Sequence, residues 1–366
     1  MRVIVTGGGT GGHIYPALAI ADKFKEMDPE TEILYVGNEE GIEKDVVPKT
    51  GYPMELVDAR WLDKSSPWQL IKTGARVAKG VLEANRVMRK FKPDVVIGTG
   101  GYVCFPVIIA GKRFGARTFL HEQNAFPGLA NRTLEKYVNK VFLGFSDAAK
   151  YFKDPSKMVE AGNPVRKSFF SLNKTEARKK LGFPQDDFIV FSFGGSLGAE
   201  KINEVAFKLM QVVNGHEKMR MVFGTGKWYY DSIIKKAEER GIVLKDNILI
   251  KDYIDDMENY LAASDLIISR AGALSVAETT VCGRACILIP SPNVTGNHQY
   301  YNAKAVADRG GAILIEEKDL TSEGLIKEVM HLKNNPEIAE KMGRAARACA
   351  PMKALDIIYD EIQAAL

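Results

Sequence analysis

Cysteine is scarce in this chain: Cys104, Cys282, Cys286 and Cys349 are the only four in 366 residues, and no two form a C-x-x-C pair. That excludes a disulfide framework, fits a reducing compartment and leaves each cysteine as a free, buried side chain. An excess of one charge is missing too. Fifty Lys/Arg stand against 46 Asp/Glu, a net +4, so there is no global signal for a nucleic-acid partner. Long apolar runs are absent. The most apolar stretch, residues 95–110, is interrupted by Gly and Pro and is too short to span a bilayer, so any membrane contact must be peripheral. No basic region followed by an apolar one precedes the strand-like residues 1–6, and no secretory signal is expected.

What remains is the composition of a soluble globular protein, 46% hydrophobic and 26% charged, with length enough for two domains. Charge is concentrated locally. Residues 60–92 hold nine Lys/Arg and two Asp/Glu, an excess of seven positive charges in a chain whose net charge is four. Along the first half, β-branched runs alternate with helical stretches: strands at 3–5, 32–36, 95–97, 118–120 and 141–143, and a helix over 16–26. The second half repeats the plan with strands at 188–193, 220–223, 248–251, 266–269 and 285–290 and a helix over about 199–213. Short buried strands alternating with helices predict parallel sheets covered on both faces. Gly162-Asn163-Pro164 marks a break. The expected division is a first domain over 1–163 and a second over 164–349, with the helical residues 350–366 returning to the first. Two such sheets facing each other would leave a cleft.

Glycine loops end several of these strands. GGGTGGH, residues 7–13, satisfies G-x-G-x-x-G through Gly7, Gly9 and Gly12, but His13 and Ile14 stand where a P-loop needs Lys and Ser/Thr. GTGGY (98–102) and GGSLGA (194–199) also follow strands, at the sheet edge where open α/β folds bind ligands. Glycines there let backbone N–H groups approach a phosphate. SRAGALSVAE (269–278) follows a further strand. Ser275 to Glu278 read as a helix start, with an acid on its first turn able to accept from both hydroxyls of a ribose.

With HEQN (121–124), GNPVR (162–166) and HQYYNA (298–303), these loops form an ordered set along nearly the whole chain. The sequence closely resembles the MurG family of N-acetylglucosaminyltransferases. The resemblance implies a GT-B fold, two Rossmann-like domains with parallel sheets. It implies transfer of N-acetylglucosamine from UDP-N-acetylglucosamine to the C4 hydroxyl of an undecaprenyl-pyrophosphate-linked muramyl-pentapeptide, giving lipid II with inversion at the anomeric carbon. Carried over by motif, Thr10, Gly11 and Gly12 lie near the donor sugar, and Gly11, Gly12, Gly100, Gly101 and Tyr102 near the acceptor pyrophosphate. Asn124 and Gln299 meet the sugar, and Arg166 and Ser196 the diphosphate. Ile254 packs near uracil, Ala273, Leu274, Ser275, Val276 and Ala277 line the nucleotide site, and Glu278 holds the ribose. The family often carries a further glutamine beside the Gln299 position, where this chain has His298.

Direct displacement needs a base for the acceptor hydroxyl and stabilisation of departing UDP. His13, at a helix start beside a glycine loop, is the candidate base, and Glu122 the rival. His121 reads as a structural hydrogen-bonding residue. The chain has no D-x-D triplet, so no dedicated metal site is expected, and no cofactor is required; Mg2+ would travel on the substrate diphosphates. Residues 61–91 interleave Trp61, Trp68, Leu70, Ile71 and Val81 with Lys72, Arg76, Lys79 and Arg86, a basic amphipathic pattern suited to an anionic membrane surface. Expected partners are therefore the two substrates, the cytoplasmic face of the cell membrane, and cell-wall synthesis and division proteins. Three alternatives stay open. Another GT-B glycosyltransferase would share the donor site. A sugar-nucleotide binder without catalysis would share it too, though His13, Arg166 and Glu278 count against that. A nicotinamide-dependent dehydrogenase explains GGGTGG, and Glu39 could take a ribose hydroxyl, but it leaves GTGGY, GGSLGA and SRAGALSVAE without a role.

Overall fold

The computed structural model describes residues 1–59, 67–195 and 197–366, with the side chains of 67–76 outside the description. Its contacts divide the chain into two units: residues 1–165 with 353–366, and residues 166–352.

The first unit is a seven-stranded sheet. Its strands are β1 (Arg2–Thr6), β2 (Glu32–Asn38), β3 (Met54–Val57), β4 (Val95–Gly98), β5 (Arg117–Glu122), β6 (Lys140–Leu143) and β7 (Met158–Glu160). They lie in the order β3-β2-β1-β4-β5-β6-β7 with every neighbouring pair parallel. Both faces are buried, as a parallel sheet requires. Alternate residues of one strand serve opposite faces. Val3 and Val5 join a cluster with Ile14, Ala17, Ile20 and Phe24 of the helix Gly11–Met27, whereas Ile4 joins Val107 and Ile108 of the helix Cys104–Phe114. Each such aliphatic side chain is worth roughly 1.5–3 kcal/mol when buried.

The helix Ala354–Gln363 belongs to this unit, although some 190 residues of the other unit precede it. Ile358 and Ile362 enter the cluster beneath the helix Gly11–Met27, and Tyr359 sets its ring edge-on to Phe24 at 5.1 Å. Lys23–Asp356 (2.5 Å) and Lys140–Glu361 are ion pairs beside that contact.

The second unit has six strands: β8 (Phe188–Phe193), β9 (Met219–Gly224), β10 (Ile248–Lys251), β11 (Leu266–Ser269), β12 (Ala285–Leu288) and β13 (Ile313–Leu314). Their order, β10-β9-β8-β11-β12-β13, repeats that of the first unit less its last strand, again all parallel. In both sheets the winding reverses beside the first strand of the unit, between β1 and β4 and between β8 and β11. Ligands of doubly wound sheets bind outside the carboxyl ends of the strands at that crevice. The four glycine-containing segments singled out in the sequence follow these four strands.

Candidate functional site

At the crevice of the first unit the two glycine loops close on each other. Gly8 N–H donates to Gly100 O at 3.2 Å. A Cβ on Gly101 would stand 2.4 Å from Gly8 O, and Gly101 takes φ +85°, so only glycine suits this position. The Cys104 thiol, fully buried and raised by that burial to about 12, accepts from Gly100 N–H at 3.1 Å and stays a structural thiol. The cysteines are all free.

His13 lies across this junction. Its Nδ1 sits 2.9 Å from Gly8 O. A carbonyl only accepts, so Nδ1 carries the proton and Nε2 of the neutral ring carries a lone pair. The ring edge rests on Gly100, where a Cβ would meet Nε2 at 2.8 Å. Thr99 Oγ1 donates to His13 O at 2.7 Å and ties the two loops once more. Thr10 precedes the helix Gly11–Met27 without a side-chain cap, and no acid occupies the first turn. Positive helix-end charge is left available to an anion there. Tyr102 extends into solvent, about half exposed.

Glu122, the rival base, is buried. Its carboxylate accepts from Asn124 N (2.9 Å), Asn124 Nδ2 (3.2 Å), Gly128 N (3.0 Å) and Asn131 Nδ2 (2.9 Å). Those bonds shape the loop that carries Asn124 and engage both carboxylate oxygens within the protein. His121 is buried behind it, and burial pushes its pKa down to about 4 against the opposing pull of the Gly162 carbonyl. Its Nε2 donates to Gly162 O (3.0 Å) and its Nδ1 accepts from Gln123 Nε2 (2.9 Å). Asn163 Nδ2 reaches Gln123 O at 3.0 Å. HEQN and the start of GNPVR, forty residues apart, are thus one hydrogen-bonded assembly.

At the crevice of the second unit the corresponding loops line a cavity of about 720 Å3. Gly194, Gly195 and Gly198 form one wall, Arg270, Gly272 and Ser275 another, and Ser291, Asn293 and Gln299 a third. Gln299 Oε1 accepts from Ser291 N–H at 2.9 Å. The helix expected to begin at Ser275 begins at Ala273, so Glu278 lies on its second turn, not its first. The helix dipole therefore accounts for it poorly. Glu278 is half-buried, and burial raises its pKa to about 7; the Arg166 guanidinium opposes that rise and Glu258 adds to it. Arg166 lies 3.4 Å from Glu258 and covers the Phe169 ring at 5.2 Å. An acid whose proton affinity burial raises and an exposed cation thus stand together in the second unit, outside the lining of the cavity, and such a pair is a candidate functional site.

Other expected residues are placed less uniformly. Ile254 is half-buried against Gly224. Ala273, Val276 and Ala277 are buried, so they offer a ligand only backbone, while Ser275 lines the cavity. His298 Nδ1 meets Thr295 O at 2.9 Å. Ser196 and Trp61 lie outside the described residues, as do the side chains of Trp68, Leu70, Ile71, Lys72 and Arg76. On the described part of the helix Pro67–Phe91, Val81 is half-buried, Arg86 is exposed, and Lys79 is bound to Asp58 and Glu83, each at 3.4 Å. Arg270, which has no role in the sequence reading, holds the carbonyls of Ile289 and Pro290 and pairs with Glu317 in the cavity wall. Its signal was its place inside SRAGALSVAE. Among the described residues no three His, Cys, Asp or Glu side chains cluster as metal ligands, and no helix is long and apolar enough to cross a membrane.

Comparison with known proteins matches residues 3–143 to the glycosyltransferase family 28 N-terminal domain and residues 189–358 to the family 28 C-terminal domain. A UDP-N-acetylglucosamine--N-acetylmuramyl-(pentapeptide) pyrophosphoryl-undecaprenol N-acetylglucosamine transferase of Alkaliphilus oremlandii is 42% identical over 368 residues, covering 100% of this chain and 99% of the relative. The enzyme of the same name from Acetivibrio thermocellus is 41% identical, covering 99% and 98%. The crystal structure of Acinetobacter baumannii MurG superposes with a TM-score of 0.78 at 25% identity, covering 99% of each chain. A UDP-GlcNAc 2-epimerase of Neisseria meningitidis bound to UDP-GlcNAc, 14% identical with a TM-score of 0.71 and full coverage of both chains, shares the fold.

Proposed function

We infer the reaction from a chain that belongs to glycosyltransferase family 28 and has the GT-B fold. It is a UDP-N-acetylglucosamine-dependent glycosyltransferase that moves N-acetylglucosamine to lipid-linked N-acetylmuramyl-pentapeptide in peptidoglycan synthesis. The single observation that carries the chemistry is His13, whose Nδ1 is committed to Gly8 O and whose Nε2 lone pair is left for a substrate hydroxyl.

In this reading the acceptor hydroxyl, at C4 of the muramyl sugar, gives its proton to His13 Nε2. Its oxygen forms a bond to the anomeric carbon as the bond from that carbon to UDP breaks, which inverts the configuration. The uncapped start of the helix Gly11–Met27 and the paired glycine loops receive the acceptor pyrophosphate. Glu278 takes the ribose hydroxyls. Arg166 and the amides of the 194–199 loop balance the charge on leaving UDP, the usual role of preorganised donors. Gln299 and Asn124 address the sugar. Any Mg2+ would arrive on the diphosphates. The exposed basic side of the helix Pro67–Phe91 is suited to an anionic bilayer, where the prenyl chain of the acceptor is anchored.

The test is transfer of radiolabelled N-acetylglucosamine from UDP to a short-chain analogue of the lipid-linked muramyl-pentapeptide. Labelled disaccharide product establishes donor, acceptor and reaction class together. Binding of UDP without product would leave the donor site standing and overturn the acceptor.

A further inference from the structure

One acid in the first unit is enclosed by glycines. Glu43 opens the short helix Glu43–Val46 and is fully buried. Its Oε2 accepts from Gly9 N–H at 3.0 Å and its Oε1 from Asn38 N–H at 2.9 Å, so backbone amides hold it where a cation commonly would. Three glycines leave room for it. A Cβ on Gly8 would come within 2.3 Å of Oε1, one on Gly37 within 2.8 Å of Cγ, and one on Gly41 within 2.1 Å of Oε2. A buried carboxylate that loses such donors is strongly penalised, so the amides it grips are fixed in place. The amide of Gly9 is one of them, and the neighbouring Gly8 supplies the carbonyl on which His13 Nδ1 hangs.

We propose that Glu43 is a positioning residue for the glycosyl-transfer step: by clamping the Gly8–Gly9 turn it sets the ring of His13 and the direction of its free nitrogen. The proposal rests on the reading of His13 as base. Glu43 does not touch substrate in it, and the donor cavity belongs to the other unit, so its loss should lower kcat and leave donor affinity alone. It also follows that Gly9 N–H, although part of a glycine loop, is spent on Glu43 and not on a phosphate.

The experiment compares Glu43→Gln, Gly41→Ala, His13→Ala and the Glu43→Gln/His13→Ala double variant in the transfer assay, with melting temperatures alongside. The carboxamide keeps the shape of Glu43 but turns an NH2 toward one of the two amides. Displacing a reacting group by about 1 Å can cost about 100-fold. We expect kcat to fall tenfold or more in Glu43→Gln, with donor KM within about twofold of the parent. Gly41→Ala, whose added methyl overlaps the carboxylate without altering it, should give the same split. The double variant should be no slower than His13→Ala alone, because the two residues act as one unit. Parent-like kcat in Glu43→Gln, losses that multiply in the double variant, or a fall in kcat matched by a rise in donor KM and a large melting-temperature loss would each overturn the proposal. A His13→Ala enzyme that keeps its rate overturns the base reading itself, whatever Glu43→Gln does.

Discussion

The two units repeat one strand order and put glycine loops at the same pair of strand ends, yet they use them differently. In the first, the loops after β1 and β4 are bonded to each other, and His13 lies across the seam. The result is a platform that presents one nitrogen and an uncapped helix start. In the second, the loops after β8 and β11 line a cavity of about 720 Å3. The difference traces to single side chains. Gly101 packs on Gly8 with no space between, whereas Arg270 props its loop by gripping Ile289 O and Pro290 O. The doubly wound sheet puts both crevices at the same strand ends, and the loop chemistry decides whether the edge becomes a closed platform or an open cavity.

Substitutions should separate these two roles. The largest expected effect is His13→Ala: kcat falls by about 10²–10⁴-fold, as for removal of a general base, with donor KM within about twofold in initial-rate kinetics. Activity within about tenfold of the parent would remove His13 as base. Next is Glu278→Gln, which should raise donor KM about tenfold, the cost of one charge-assisted hydrogen bond, with a smaller effect on kcat.

That residue also predicts a pH dependence. Its folded pKa is about 7 against 4.5 in an exposed chain. Donor KM should fall as pH rises through about 7, because only the carboxylate accepts from both ribose hydroxyls, and the variant should lack this trend. Stability runs the other way. A raised folded pKa gives stability that is full below about 4.5 and lost as pH rises through about 7. Melting curves should therefore show Glu278→Gln gaining on the parent as pH rises from about 4.5 to about 7, and keeping that gain at higher pH.

The smallest effects belong to the basic helix. Arg86→Gln and Arg89→Gln, at exposed positions, should each weaken binding to vesicles containing anionic lipid by about fivefold, the worth of about 1 kcal/mol per charge. Lys79→Gln should do less, since Asp58 and Glu83 already offset that charge.

Much of this was legible before the fold. The buried apolar strands and the glycine turns after them have local signals, and the motif order pointed to the glycosyltransferase family to which the chain belongs. The short edge strands β3, β7 and β13 were missed because two to four partly exposed residues carry almost no periodicity. The helix start at Ala273 was placed two residues late because Gly272 gives no side-chain cap to read. Glu43 was invisible for another reason. Its meaning lies in Gly8, Gly37 and Gly41 surrounding it, an arrangement of three separate segments in space. The engagement of Glu122 by Asn124, Gly128 and Asn131 is likewise a property of the folded loop, and it favours His13 over its rival.

Calorimetric titration of UDP into His13→Ala and Glu278→Gln tests the division of roles between the two units most directly. Parent-like affinity in His13→Ala and about tenfold weaker binding in Glu278→Gln is the expected result. Weakened UDP binding in His13→Ala, with none in Glu278→Gln, would contradict it.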